Sequence, residues 1–275
     1  MSLYALPLTA PFVLLLSAGI SWWLSERHCR SAAAVAEVAA LLALAVALAS
    51  IVTLVVLGTG ESTFYGNAGI GLSTRLDAVS VTMLVLVAFV GWIVVRYSRT
   101  YLDGEPRQCA FISWLTAALA AVLLLVQAGN LSQLVVSWIA TSLCLHRLLL
   151  FYPSRIAAQR AARKKLYFTR IGAASLLTAA IMMTNAFGTT DIAAINAAAR
   201  NGNASSLAVS ATIFITLAAL LKSAQFPTHG WLTEVMEAPT PVSALLHAGV
   251  INGGGFLLVR FADVMLLSPG TLAVL

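Results

Sequence analysis

The chain has 275 residues, 60% of them hydrophobic and 9% charged, and its mean hydropathy is +0.92. Soluble globular domains carry about 25% charged residues, so an ordinary soluble fold is excluded and a polytopic membrane protein is indicated. The formal net charge of +6 does not point to nucleic acid, because the basic residues fall in loops between apolar runs and not on one face of a soluble domain.

A bilayer core asks for about 20 apolar residues per helix. Such runs lie near 4–24, 33–58, 78–97, 110–128, 131–151, 167–187, 205–224 and 241–267, so the expected fold is an all-α membrane protein of about eight transmembrane helices in a single membrane domain, 1–275. The first run has no basic residue ahead of it and no small-residue cleavage site after it, and reads as a retained span instead of a signal peptide.

The loops alternate in charge. Loop 25–32 holds Arg27 and Arg30, loop 97–109 with the adjoining helix end holds Arg96, Arg99 and Arg107, and loop 152–170 holds Arg155, Arg160, Arg163, Lys164, Lys165 and Arg170. The intervening loops 59–77, 129–130 and 188–204 carry only Arg75 and Arg200. An excess of Lys and Arg on the cytoplasmic side then places the N-terminus outside and segment 225–240 inside. Loop 59–77 mixes glycine with β-branched and aromatic residues, a composition that suits a short hairpin or ribbon as well as an irregular loop. Segment 188–204 reads as a short helix outside the bilayer, capped by Thr190 or Asp191 and ended by Gly202.

Few ionisable residues fall inside the spans: Glu37, His146, Arg147, Lys222, His247 and Arg260. Glu37 and Arg147 read as side chains reaching an interface. Arg260 and Asp263, three apart on one helical face, are placed to pair. Cys29, Cys109 and Cys144 have neither CxxC nor CxH spacing, so they support no zinc site or disulfide framework and read as spectators. Gly253, Gly254 and Gly255 suit a close helix–helix contact.

The chain is organised around Lys222 to Phe256. Pro227, Pro239 and Pro241 each lack an N–H and fix φ, so no continuous helix passes through all three; the expectation is a broken seventh helix, two membrane helices joined by a gap. Such a gap is tolerated only where it is buried in protein or faces water. Lys222 stands at its edge, and an intramembrane lysine either belongs to an ion path or snorkels to the headgroups. On the first reading His247, taken as buried in the following helix, exchanges protons with Lys222 through water, and His146 and Glu237 extend the proton or cation path, with Glu234 and His229 beside Glu237. On the second, the polar cluster only ties the broken helix together.

The segment KSAQFPTHGWLTEVMEAPTPVSALLHA resembles the antiporter-like membrane subunits of respiratory complex I and of the multi-subunit sodium/proton antiporters, through Lys222, Ser223, Gln225, Pro227, Trp231, Leu232, Met236, Pro239 to Leu245 and His247. A weaker match runs through Trp138 to Tyr152 and through Thr169, Arg170 and Gly172. The resemblance implies N-terminal helices over 1–109, one antiporter-like five-helix repeat over 110–267, and a longer fold or a second membrane chain that supplies an inverted second repeat. It also implies a relay of Glu, Lys and His residues near the midplane, with Lys222 and His247 in the lysine and histidine positions. The family glutamate that follows the tryptophan is Ile139 here, and the aspartate after the Arg-Gly pair is Ala173.

Both departures argue against pumping of the complex I type. The wording around Trp138 to Tyr152, His229 to Leu232 and Met236 to Gly249 looks most like the membrane subunit of the DAB inorganic-carbon accumulation complex. That resemblance implies a multi-pass chain of the bacterial inner membrane, without a cofactor or catalysis of its own. A peripheral zinc subunit resembling a β-carbonic anhydrase would hydrate CO2, coupled by this chain to a proton or sodium gradient. The alternatives are a proton-translocating subunit of an NADH-quinone oxidoreductase or multi-subunit cation/proton antiporter, and a structural anchor.

Overall fold

A computed structural model describes residues 3–24, 29–67, 69–202, 205–226, 228–233 and 238–273. A 3-10 turn, Leu3–Leu8, leads into α1 (Thr9–Trp23) and then α2 (Cys29–Leu57). A ribbon of four short strands follows: β1 (Gly60–Glu61), β2 (Tyr65–Asn67), β3 (Ile70–Leu72) and β4 (Arg75–Leu76). The helices α3 (Ala78–Tyr101), α4 (Gln108–Val126), α5 (Leu131–Leu149), α6 (Ile156–Phe187), α7 (Ile192–Arg200) and α8 (Ser206–Lys222) come next. The last stretch contains α9 (Gly230–Thr233), α10 (Thr240–Leu245), a π-helical turn Leu246–Val250, α11 (Asn252–Arg260), α12 (Ala262–Met265) and α13 (Pro269–Leu272).

The protein is an all-α membrane fold, and each of the eight predicted runs is helical. Length and composition support six crossings: Leu3–Trp23, Cys29–Leu57, Ala78–Tyr101, Gln108–Val126, Ile156–Phe187 and Thr240–Arg260. The other two of the eight expected runs fall outside that measure. Ser206–Lys222 has only 17 residues, and Leu131–Leu149 is interrupted by Gln133, Ser137, Thr141, Ser142, His146 and Arg147.

Helix α4 lies at the centre, packed by α1, α3 and α5, while α6 packs along α8 and α11 crosses the end of α8. Small residues set these distances. A stripe of buried alanines on α2, Ala32, Ala36, Ala39, Ala43 and Ala47, faces its neighbours. A Cβ on Gly254 would collide with Ser223 Oγ and the Ala219 carbonyl, and one on Gly253 would sit 3.7 Å from Lys222 Cε. The glycine patch is thus a packing contact, as expected, at Gly253 and Gly254; at Gly255 a side chain would meet open space.

Loop 59–77 is a ribbon: β1 pairs antiparallel with β4 and β2 with β3. Asn130 caps α5 by accepting from the Gln133 amide at 2.8 Å and donates to the Gly71 carbonyl at 3.1 Å, which pins the ribbon to the helix start. Asp191 caps α7, accepting from the Ala194 amide at 2.8 Å, and Gly202 follows it at φ +82°.

Three other expectations are corrected. Cys29 and Cys109, 80 residues apart, form a disulfide between the starts of α2 and α4, and only Cys144 is a free thiol. The spectator reading failed because spacing is no guide to a pair that helix packing brings together. Arg260 does not pair with Asp263: it reaches Asp77 at 2.6 Å, and Asp263 instead meets Arg200 at 2.8 Å. Segment 152–170 is not a loop throughout, since α6 begins at Ile156 and carries Lys165 into the interior.

Candidate functional site

The site forms where the end of α8 meets the middle of α5. Lys222 is the last residue of α8, and the chain then turns away through Ala224, which takes a left-handed φ of +50°. This break precedes all three prolines expected to make it. Pro239 caps α10 and Pro241 sits in its first turn, where a missing N–H costs nothing; Pro227 lies outside the described residues.

Lys222 is 5% exposed, so the snorkelling reading does not hold for this chain. Its Nζ donates to Thr141 Oγ1 at 2.8 Å and to Ser142 Oγ at 3.5 Å, and lies 4.4 Å from the centre of the Trp138 ring. Thr141 and Ser142 donate their own hydroxyl protons to the Trp138 carbonyl at 2.8 and 3.1 Å, which leaves their oxygens free to accept from the amine. A cation over a desolvated tryptophan face is stabilised by about 2 kcal/mol or more. Among the described residues no carboxylate pairs with Lys222.

A second lysine stands on the other side of the same turn. Lys165, 1% exposed, donates from Nζ to the Ser142 carbonyl at 2.7 Å and also lacks a carboxylate partner among the described residues. Sequence reasoning assigned it to the basic loop. Its signal was present in the spacing of Ala158, Ala161, Ala162, Lys165, Thr169 and Gly172, a small-residue stripe at helical period that is the buried face of α6. His146, one turn beyond Ser142, is half-buried; its Nδ1 is enclosed without a hydrogen-bond partner, and Lys165 lies within its electrostatic reach.

The structure does not bring His247 to Lys222. The buried face of α10 and the π turn holds Val242, Leu245, Leu246, Gly249 and Val250, and His247 is exposed on the opposite side, which corrects its expected burial. Ile139, at the position where the family glutamate is expected, is 38% exposed and does not line the Lys222 pocket. Glu237 and Glu234 lie outside the described residues.

Several other charged groups among the described residues are paired. Glu37 is held by Arg99 at 2.7 Å. At the ribbon end Asp77 receives Arg260 at 2.6 Å and Arg75 at 3.0 Å, and caps α3 reciprocally with Ser80. Burial works to raise the Asp77 carboxyl, but Arg260, the Ser80 hydroxyl and amide, and Arg75 hold it below the usual carboxylate range. Glu61, on β1, is pushed up to about 7 by burial and then by the neighbouring Asp191 carboxylate, against the pull of Arg75.

The chain is similar to known membrane proteins. A family profile described as NADH:quinone oxidoreductase/Mrp antiporter, TM matches residues 128–275, and one described as NADH-ubiquinone oxidoreductase (complex I), chain 5 N-terminus matches residues 64–112. A probable inorganic carbon transporter subunit DabB of Hydrogenovibrio crunogenus is 43% identical over 70% of this chain and 38% of its own length. NADH-quinone oxidoreductase subunit L of Escherichia coli is 32% identical over 75% of this chain and 34% of its own length. In the solved Mrp complex from Dietzia sp., one chain superposes with a TM-score of 0.82 at 30% identity, covering 94% of this chain and 28% of that one. The chain spans little more than a third of the length of the DabB and subunit L relatives it matches. By its profile match, its relatives and its fold, this chain belongs to the NADH:quinone oxidoreductase/Mrp antiporter family of membrane subunits.

Proposed function

We propose that the chain is an ion-translocating, non-catalytic membrane subunit of an inorganic-carbon accumulation complex, and that Lys222 carries the translocated proton or responds to the coupling ion. The observation that carries this reading is the buried amine of Lys222, held by two hydroxyls and the Trp138 ring without a carboxylate among the described residues. A charged group at such a depth is costly and is kept where its charge is used. The identity of 43% to the DabB relative, against 32% to subunit L, supports the carbon assignment, as does Ile139 in the place of the pumping glutamate.

On this reading a peripheral zinc subunit resembling a β-carbonic anhydrase hydrates CO2, and a proton or sodium gradient across the bacterial inner membrane draws the reaction forward. The basic loops face the cytoplasm and the ribbon faces outside. His146, on the side of the basic loops, connects Lys222 to one surface. His247 takes part from the exposed face of the π turn that follows α10, which a second membrane chain or further residues of the assembled subunit cover, and Glu237 belongs to the same path.

Lys222→Ala, made in the complete complex, abolishes bicarbonate accumulation in a host that depends on added CO2 for growth, with the complex still present in the membrane. Undiminished accumulation would leave the chain as an anchor only. The second reading, a subunit of a cation/proton antiporter or an NADH-quinone oxidoreductase, is favoured by the superposition on the Mrp complex over 94% of the chain. Purification from native membranes separates the two: a co-purifying zinc protein supports the carbon reading, and dehydrogenase or further antiporter subunits without a zinc protein support the second.

A further inference from the structure

Two buried lysines meet one residue. Lys222 reaches Ser142 through the hydroxyl and Lys165 through the carbonyl, from α8 and α6 respectively, on the face of α5 that also carries Thr141 and Trp138. Both are 5% exposed or less, and no carboxylate is paired with either among the described residues. Two ammonium groups in that position repel each other in a medium of low dielectric, where a charge pair a few ångströms apart interacts several times more strongly than in water. The arrangement accommodates one charge far better than two.

We propose that Lys165 is the proton-exchange partner of Lys222: the two amines share one excess proton across the Ser142 turn of α5, so that a second lysine does the work of an acidic partner. In each transfer an N–H bond of one ammonium breaks as one forms on the neutral amine of the other, and the pair keeps a single positive charge throughout. An acid–lysine pair alternates between a neutral and an ionised state. A lysine–lysine pair instead moves its charge from α8 to α6, toward His146, whose enclosed Nδ1 has no other partner and is the next group able to take the proton. Among the described residues, the other titratable or charged groups on these two helices near the pair are Cys144 and Arg147 on α5 and Lys164 and Arg170 on α6. Cys144 is a thiol and the other three are cations, so none carries the carboxylate whose role is assigned to Lys165.

This inference rests on the relay reading of Lys222, and the test separates the two. Proton flux is measured with a pH-sensitive dye in inverted vesicles carrying the complete complex, with the amount of assembled complex determined in parallel. Lys222→Gln and Lys165→Gln each lower flux at least tenfold at unchanged assembly. Lys165→Arg is no better than Lys165→Gln, because a permanent charge beside Ser142 keeps the proton off Lys222. Lys165→His restores part of the flux with a pH profile displaced to the acid side, as expected for a weaker base.

If Lys222→Gln abolishes flux while Lys165→Gln and Lys165→Arg keep half of it or more, the exchange proposal is wrong and the relay reading stands. If Lys222→Gln keeps flux, both fall. Where Lys165→Gln fails to assemble, Lys165→Met fills the same volume without a polar atom. Loss of flux in that variant supports the exchange, and retained flux identifies Lys165 as a packing residue.

Discussion

At the ribbon end, Arg260 has a carboxylate at 2.6 Å, that carboxylate has Arg75 at 3.0 Å, and Ser80 completes the set by capping. Along α5, Lys222 and Lys165 have hydroxyls, a carbonyl and a tryptophan face, but no carboxylate partner among the described residues. The first is partly buried around a buried Arg260 and the second is buried throughout, and both tie distant segments together. The first holds Arg260 and Arg75 in fixed pairs with Asp77; in the second, on the exchange proposed above, the charge is not fixed to one atom. Compensated charge in a membrane protein serves structure, and uncompensated charge is tolerated where it moves.

The sharpest break of this comparison is Asp77→Ala, which strands Arg260 in the interior. Removing one partner of a buried pair costs about 3–5 kcal/mol, so thermal unfolding in detergent should fall far below the parent; a fall no larger than that of a surface variant would erase the distinction between the clusters. Asp77→Leu combined with Arg260→Met should recover most of the loss. Gly254→Ala drives a methyl into Ser223 and the Ala219 carbonyl, and should cost about 1–3 kcal/mol by the same assay as α11 is pushed off α8.

Lys222→Met has the opposite expected sign. It removes an uncompensated polar group, so the melting temperature should hold or rise while flux disappears. A large loss of stability would assign Lys222 to the structural class.

Smaller still is the pH response of Glu61. Its carboxyl binds a proton more tightly folded, at about 7, than at its ordinary value of 4.5. Stability therefore falls as pH rises through that window, with the full penalty present above about 7 and absent below 4.5. Melts of Glu61→Gln at pH 5 and pH 8 should lie closer together than those of the parent; an unchanged gap would remove Glu61 from the response. Arg200→Ala comes last, since its pair with Asp263 is solvent-exposed, and no measurable shift in unfolding is expected.

Several features were legible before the fold was known. Asp191 as one of two candidate caps, the ribbon as one of two readings of 59–77 and a break soon after Lys222 follow from local rules, because caps, turns and breaks are decided within a few residues; the residue that makes the break, Ala224 and not a proline, did not. The candidate site was legible in part. Lys222 stood out as an ionisable residue closing an apolar run, whereas Lys165 was hidden among five other basic residues between 152 and 170 although it lies on the small-residue face of α6.

His247 misled for a related reason. Hydropathy says that a segment can enter the bilayer but not which side of it faces protein, since lipid and protein interior are both apolar. The sequence by itself therefore determined that this chain is helical, belongs in a membrane and carries a lysine at a helix break. Only the tertiary structure decided which charges meet: Arg260 with Asp77 across 183 residues, Cys29 with Cys109 across 80, and Lys165 with the turn that holds Lys222. Partners so far apart are selected by helix packing, and helix packing depends on small differences among side chains that hydropathy treats as the same.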